Sequence, residues 1–286
     1  MFNYLLYHIG EFLAVSLPLK TGYAITKTIC LLKYLFSKQD RTAVRGNLKA
    51  ILPQEKASVI EKYTRGVFLN FGKYLLEFFR FNKIDRKFLE ENVTIDGLKN
   101  MDDALSDKNG AIIVAGHIGN YELGAAALGL LGYKVNAVAL VHKYKKINDF
   151  FNNRRLAKGV RIFPIGKEAI WNCLEAFKRN EIVCLLSDRD FTNGGIEIEF
   201  LGRTTIIPKG PAAFSLKRKT PIVPAFAIRL GDNKFHFFMT TPIRYTPCAD
   251  MDKDIYELTK LYLKQIEKVI LEYPDQWYMF RKFWLR

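Results

Sequence analysis

Histidine and cysteine are both scarce in this chain, at four of each in 286 residues. The cysteines (Cys30, Cys173, Cys184, Cys248) are scattered, and no two form a C-x-x-C pair. That argues against a zinc ribbon or a disulfide framework and for free thiols in a reducing compartment. Long hydrophobic runs are missing too. The apolar N-terminal stretch is broken by Glu11, Pro18, Lys20, Lys27 and Lys33, whereas a spanning helix needs about 20 uninterrupted apolar residues. The N-terminus has no basic start and no clear small-residue cleavage site, so no secretory leader is expected. There is no G-x-S-x-G elbow, P-loop, G-x-G-x-x-G or H-E-x-x-H. Those absences weigh against a serine hydrolase, a P-loop NTPase, a Rossmann dehydrogenase and a zincin. No metal site is expected.

What the chain does have is apolar bulk and positive charge. Hydrophobic residues make up 49% of it, which supplies a sizeable core. The net charge of +15 favours anionic partners: nucleic acid, an anionic lipid surface or an acidic carrier protein. Two amphipathic helices flanking Pro18 are expected, either lying on a bilayer or packing on the rest of the protein.

Helical spacing of apolar residues runs from Phe2 to Phe36, then over Val44–Ile51 and Val59–Phe81. Residues 82–100 are charged and read as a connection. From about residue 111, β-type runs alternate with helical stretches: AIIVAG, a helix over 120–131, KVNAVAL, a basic helix over 145–158, RIFPI, a helix over 167–179, and EIVCLLSD. PIVPAFAIRL, KFHFFMT and a final helix over 252–272 follow. This alternation predicts an α/β domain, a sheet with helices packed on it, carrying a helical N-terminal elaboration. The chain reads as one domain, with residues 1–82 mainly helical and 95–286 forming the α/β core.

Residues 111–124, AIIVAGHIGNYELG, carry the sharpest chemical signal. A strand ends near His117, Gly119 permits a tight turn, Asn120 can cap a helix, and Glu122 falls in its first turn. Glu122 is placed to accept a hydrogen bond from one imidazole nitrogen, leaving the other to take a proton. The helix N-terminus offers free N–H groups to an oxyanion. The competing interpretation is a surface histidine beside a capped turn. Ser187-Asp188-Arg189-Asp190-Phe191 follows the apolar run IVCLL, at a strand end where open α/β sheets place sites; the alternative is a solvated turn. Glycines 194, 195 and 202 then suggest a hairpin or a loop. Arg154 and Arg155 on the basic helix, and Lys209 in IPKGP, suit phosphate or carboxylate, or are simply solvated. The aromatic run from Tyr273 to Trp284 suits a membrane interface, base stacking or a core segment sealing the sheet.

In order along the chain stand Asn70-Phe71-Gly72-Lys73, His117-Ile118-Gly119-Asn120-Tyr121-Glu122, Asn153-Arg154-Arg155, Asp188-Arg189-Asp190-Phe191, Pro211-Ala212-Ala213 with Thr220-Pro221-Ile222-Val223-Pro224, and Tyr273-Pro274-Asp275-Gln276-Trp277. This ordered set resembles the late acyltransferases of lipid A biosynthesis, the lauroyl/myristoyl transferase family, which includes phosphatidylinositol mannoside acyltransferases. The resemblance covers most of the chain. It implies a glycerolipid-acyltransferase-like fold with a mixed central sheet flanked by helices. It also implies a monotopic or peripheral enzyme on the cytoplasmic face of the inner membrane. Such an enzyme moves an acyl chain from a thioester of acyl carrier protein or coenzyme A to a hydroxyl of a lipid A precursor or similar glycolipid. No cofactor is implied beyond that cosubstrate, and no nucleic acid. His117 would be the base and Glu122 its partner in an H-x4-E motif. Asn120, Arg154, Arg155, Asp188, Arg189, Asp190 and Lys209 would bind substrate. The alternatives are an acyl-thioester hydrolase using the same pair, and a non-catalytic basic protein that binds lipid or nucleic acid.

Overall fold

The computed structural model describes residues 2–192 and 194–284, with side chains from residue 7 onward. Four helices open the chain: α1 (Phe2–Ser16), α2 (Leu19–Phe36), α3 (Lys38–Ile51) and α4 (Ala57–Phe79). Pro18 separates the first two, as its missing N–H and fixed φ dictate. No helix among the described residues is long and apolar enough to cross a membrane.

The charged stretch read as a connection holds three elements: α5 (Arg86–Asn92), β1 (Val93–Asp96) and α6 (Leu98–Ser106). Each is short, and Gly97 at φ +79° turns the chain between the last two. Its missing Cβ is required, because one would sit 2.2 Å from the Met239 carbonyl oxygen.

The α/β part then runs β2 (Ala111–Ala115), α7 (Tyr121–Leu130), β3 (Val135–Ala139), α8 (Lys145–Leu156), β4 (Val160–Pro164), α9 (Lys167–Lys178) and β5 (Ile182–Leu186). A separate antiparallel hairpin, β6 (Ile196–Phe200) with β7 (Arg203–Ile207), follows. After it come α10 (Gly210–Arg218), β8 (Ile222–Gly231), β9 (Lys234–Met239) and α11 (Met251–Glu272). The seven-stranded sheet has the order β1-β9-β8-β2-β5-β3-β4. Only the β8–β9 pair is antiparallel, so the sheet is mixed, as expected.

Every residue of β2 is buried, which explains its unbroken apolar run: a central parallel strand is covered on both faces. One core lies between the sheet and α9, α10 and α11, with residues of α3, α4 and the C-terminal segment joining it. The other lies on the opposite face, under α5, α6 and α7. The C-terminal aromatic run is core: Trp277, Tyr278, Met279 and Phe283 are all buried. Burying each large side chain there stabilises the fold by about 1.5–3 kcal/mol.

Candidate active site

The sheet's register brings the site together. β2 and β5 are adjacent and parallel, and Ala115 lies opposite Leu186. Two residues beyond those partners stand His117 and Asp188, at the carboxyl ends of neighbouring strands. The Nδ1–H of His117 donates to Asp188 Oδ1 at 2.6 Å, and the His117 amide donates to Oδ2 at 2.9 Å. The Trp277 indole N–H also donates to Oδ2, at 3.1 Å. Burial alone would push the Asp188 carboxyl up. The His117 charge and these hydrogen bonds outweigh it and hold the carboxyl below its ordinary range. Asp188 is therefore an acceptor-only anion, which fixes the proton of the imidazole on Nδ1 and leaves Nε2 as the basic nitrogen.

The turn after His117 is pinned from two sides. Gly119 has φ +64°, and a Cβ there would lie 2.2 Å from the Ala227 carbonyl oxygen. The C-terminal segment pairs with the turn as a short antiparallel bridge, Ile118 opposite Trp277. Gly119 N–H donates to the Gln276 carbonyl at 3.0 Å, and Tyr278 N–H to the His117 carbonyl at 2.9 Å. The Gln276 side chain in turn exchanges two 2.9 Å bonds with the backbone of Arg229, extending β8 sideways. Thus the YPDQW segment braces the histidine turn, while its tryptophan completes the Asp188 shell.

Glu122 does not meet His117. It forms a two-bond ion pair with Arg155, at 2.9 and 2.7 Å. The expectation that Glu122 orients the imidazole is corrected: Glu122 lies on the first turn of α7 and is taken by Arg155 of α8, whereas Nδ1 is taken by Asp188. Asn120 caps α7 by accepting from the Leu123 amide at 3.0 Å and donates to Glu77 at 2.8 Å. Both ends of this buried amide are engaged, so it is a brace and not the substrate contact expected. Glu77 also receives Tyr23 at 2.7 Å and both terminal guanidinium nitrogens of Arg229. This buried network locks α4 to the site.

Arg154 is corrected as well. It stacks on Phe150, 3.2 Å from the ring centroid, and pairs with Glu11, tying α8 to α1 away from the cavity. Asp190 accepts from Thr192 and Gly195 and folds the loop after β5. Because the strand ends at Leu186, Asp188 and Asp190 do not share a strand face: one is buried behind His117 and the other shapes the loop.

A cavity of about 840 Å³ opens in front of His117, and its lining is mostly apolar. It wraps the carboxyl ends of the strands and reaches both faces of the sheet. On the α7 side the wall is made of small residues, among them Ala115, Gly124, Ala125, Ala137 and Ala225. On the α9 and α10 side it is made of Ile170, Cys173, Pro211 and Phe214. His117, Tyr121, Glu122, Arg155, Arg189 and Asp190 line the junction. Lys209 lies on the wall, joined by Lys167 and Lys217, which no sequence pattern singles out. Arg189 packs 4.7 Å over Phe191, and Arg281 approaches the same ring at 5.8 Å. The Arg189 Nε is buried without a partner.

Two further groups bear on the chemistry. Burial, then the charge of Glu122, pushes the Cys184 thiol on the cavity wall up to about 12. It is protonated at neutral pH and not a nucleophile. Among the described residues no group of His, Cys, Asp and Glu is arranged to hold a metal.

The sequence pattern of the family described as bacterial lipid A biosynthesis acyltransferase matches residues 1–286. The chain belongs to that family. It is an acyltransferase. It is similar to the phosphatidylinositol mannoside acyltransferase of Mycobacterium tuberculosis (strain ATCC 25618 / H37Rv), 25% identical over 248 residues, which cover 85% of this chain and 76% of the relative. The protein of the same name from Mycolicibacterium smegmatis is 24% identical over 246 residues, covering 85% and 79%. The lipid A biosynthesis palmitoleoyltransferase of Escherichia coli (strain K12) is 23% identical over 257 residues, covering 87% and 80%. For this lipid A acyltransferase family member, the arrangement at the end of β2 and β5 is a histidine held by a buried carboxylate, at the junction of an apolar cavity.

Proposed function

We propose that the enzyme transfers a fatty acyl chain from a thioester, carried by acyl carrier protein or coenzyme A, to a hydroxyl of a glycolipid such as a lipid A precursor. The single observation that carries this reading is the His117–Asp188–Trp277 arrangement at the mouth of the apolar cavity. A sugar or acyl hydroxyl is a poor nucleophile at neutral pH. Nε2 of His117 takes its proton as the oxygen attacks the thioester carbonyl, and Asp188 stabilises the imidazolium that forms. Such a base contributes roughly a hundred- to ten-thousand-fold. The tetrahedral intermediate collapses, the C–S bond breaks, and the thiol leaves with the proton returned by His117. The first turn of α7 leaves its amides without intrahelical partners, and we assign those of Tyr121 and Glu122 as the oxyanion donors. No acyl-enzyme is needed, which agrees with the protonated state of Cys184.

The small-residue wall beside α7 suits a flexible acyl chain. Arg189, Lys167, Lys209 and Lys217 line the cavity and suit the phosphates of donor and acceptor. The Glu122–Arg155 ion pair lines the same cavity without adding net charge.

We assign membrane contact to the N-terminal helices. Phe12, Ile29, Leu32, Leu35 and Phe36 are exposed on α1 and α2. Such a face sits in a bilayer interface, and well-placed cations add about 1 kcal/mol each on an anionic leaflet. The reading is a peripheral or monotopic enzyme on the cytoplasmic face of the inner membrane. The test is a transfer assay with radiolabelled acyl donor and glycolipid acceptor: label passes to the acceptor. Label released only as free fatty acid would make the protein a hydrolase instead.

A further inference from the structure

A second cavity, of about 670 Å³, lies between α1, α2 and α4 and plays no part in the site described above. Leu13 and Ala14 of α1, Ile25 and Ile29 of α2, and Phe71 and Leu75 of α4 form its walls. Glycines let the helices close around it: a Cβ on Gly72 would lie 2.1 Å from the Cys30 sulfur, and one on Gly22 would lie 3.3 Å from Leu76. The groove is not sealed. Leu13, Ile25 and Ile29 line it and are still 49%, 45% and 59% exposed, so it opens through the same face that presents Phe12 and Phe36.

Charge selects the occupant. In residues 7–40 there are two carboxylates, and both are engaged: Glu11 by Arg154 and Asp40 by Lys33 at 2.8 Å. Lys20, Lys27 and Lys38 are exposed. Lys33 lines the groove beside Asp40 and is itself 60% exposed. A groove that is apolar inside, opens on an apolar face and is walled by α2, which carries the exposed Lys20, Lys27 and Lys33, matches a chain attached to an anionic headgroup.

We propose that this groove binds one acyl chain of an anionic bilayer phospholipid, with the headgroup phosphate at Lys33. The lipid seats α1 and α2 against α4 and anchors the enzyme by a tail taken out of the bilayer. This rests on the membrane-surface reading above but not on the chemistry of His117.

The test uses the full chain bound to vesicles of phosphatidylglycerol and phosphatidylcholine, doped with phosphatidylglycerol bearing a diazirine near the end of its chain. Irradiation and peptide mass spectrometry then map the adducts. Adducts are expected on the groove floor, at Ala14, Thr26 and Leu75. They should fall several-fold when the probe is a phosphatidylcholine, and several-fold in Ile29→Trp, whose ring fills the groove. Adducts confined to Phe12, Leu32 and Phe36 on vesicle-bound protein would overturn the proposal, because the face would then touch lipid without taking a chain in. Displacement of floor adducts by excess acceptor glycolipid would also overturn it, assigning the groove to the acceptor. Failure to bind vesicles at all would sink the membrane reading and this proposal together, while leaving acyl transfer in detergent untouched.

Discussion

Asp188 holds His117 by two atoms at once, accepting from the ring Nδ1–H at 2.6 Å and from the backbone amide at 2.9 Å. One carboxylate thereby fixes both the tautomer of the imidazole and the end of the strand that carries it. Asp188 is completely buried, and the Trp277 indole also donates to it. The imidazole is therefore oriented from beyond the end of the neighbouring strand and not by the motif in which it lies.

Replacing Asp188 by Asn keeps the size and removes the charge. We expect kcat to fall by about a hundred- to ten-thousand-fold with little change in KM, because the imidazolium loses its counter-charge and the tautomer is no longer imposed. Glu122→Gln should cost at least tenfold less in kcat. Its loss should appear as stability, about 1–3 kcal/mol from leaving Arg155 without its partner, read from denaturant unfolding.

The depressed titration of Asp188 gives a sign to the acid limb of stability. The carboxyl ionises at lower pH in the folded chain than in the unfolded one, where it has its ordinary value near about 3.9. Its contribution is complete above that value and is lost as pH falls through the folded-state value. The difference in unfolding free energy between wild type and Asp188→Asn should be widest at neutral pH and shrink below about pH 4. A difference that stayed constant from pH 7 to pH 2 would contradict it.

Gly119→Ala introduces a methyl group 2.2 Å from the Ala227 carbonyl oxygen at a φ of +64°. Left-handed backbone alone costs about 1–3 kcal/mol for a residue with a side chain, and the close contact adds to it. The variant should unfold at a lower temperature and lose transfer activity, since the displaced turn is the one that presents His117. Thermal unfolding and the transfer assay read the two effects separately.

Arg229→Leu removes the cation from Glu77, which is buried with Tyr23 and Asn120 as its other partners. Leaving a buried charge uncompensated costs about 3–5 kcal/mol. The double variant Arg229→Leu with Glu77→Leu should recover part of that loss in denaturant unfolding. If the double variant were as unstable as the sum of the two single ones, the network would not be coupled through this pair.

Much of this architecture is legible in the sequence. The run AIIVA reads as a strand because β2 is central and buried on both faces, and Gly119 reads as a turn because only glycine fits there. The helices on either side of Pro18, the α/β alternation and the hairpin at Gly202 follow from local patterning. The segment after Phe81 does not: β1 is four residues long and takes its partner from β9, far along the chain, so its strand character is tertiary. The partner of His117 was obscured for the same reason. Spacing relates residues within one segment and pointed to Glu122, five positions away. Asp188 lies 71 residues away and is brought in by the β2–β5 register. Arg154 and Arg155 are indistinguishable as neighbours in sequence, but one turns to Glu11 and the other to Glu122. The C-terminal aromatics were equally compatible with lipid, bases or core until Trp277 was seen on Asp188.

The central claim is that His117, held by Asp188, is the base in transfer of an acyl chain to a glycolipid hydroxyl. Its most direct measurement is single-turnover transfer of a radiolabelled acyl chain from a thioester donor to a glycolipid acceptor, comparing wild type with His117→Ala at matched stability. The account predicts label in the acceptor with wild type and a loss of at least a hundredfold in rate for the variant. A His117→Ala enzyme that labelled the acceptor at the wild-type rate would contradict it.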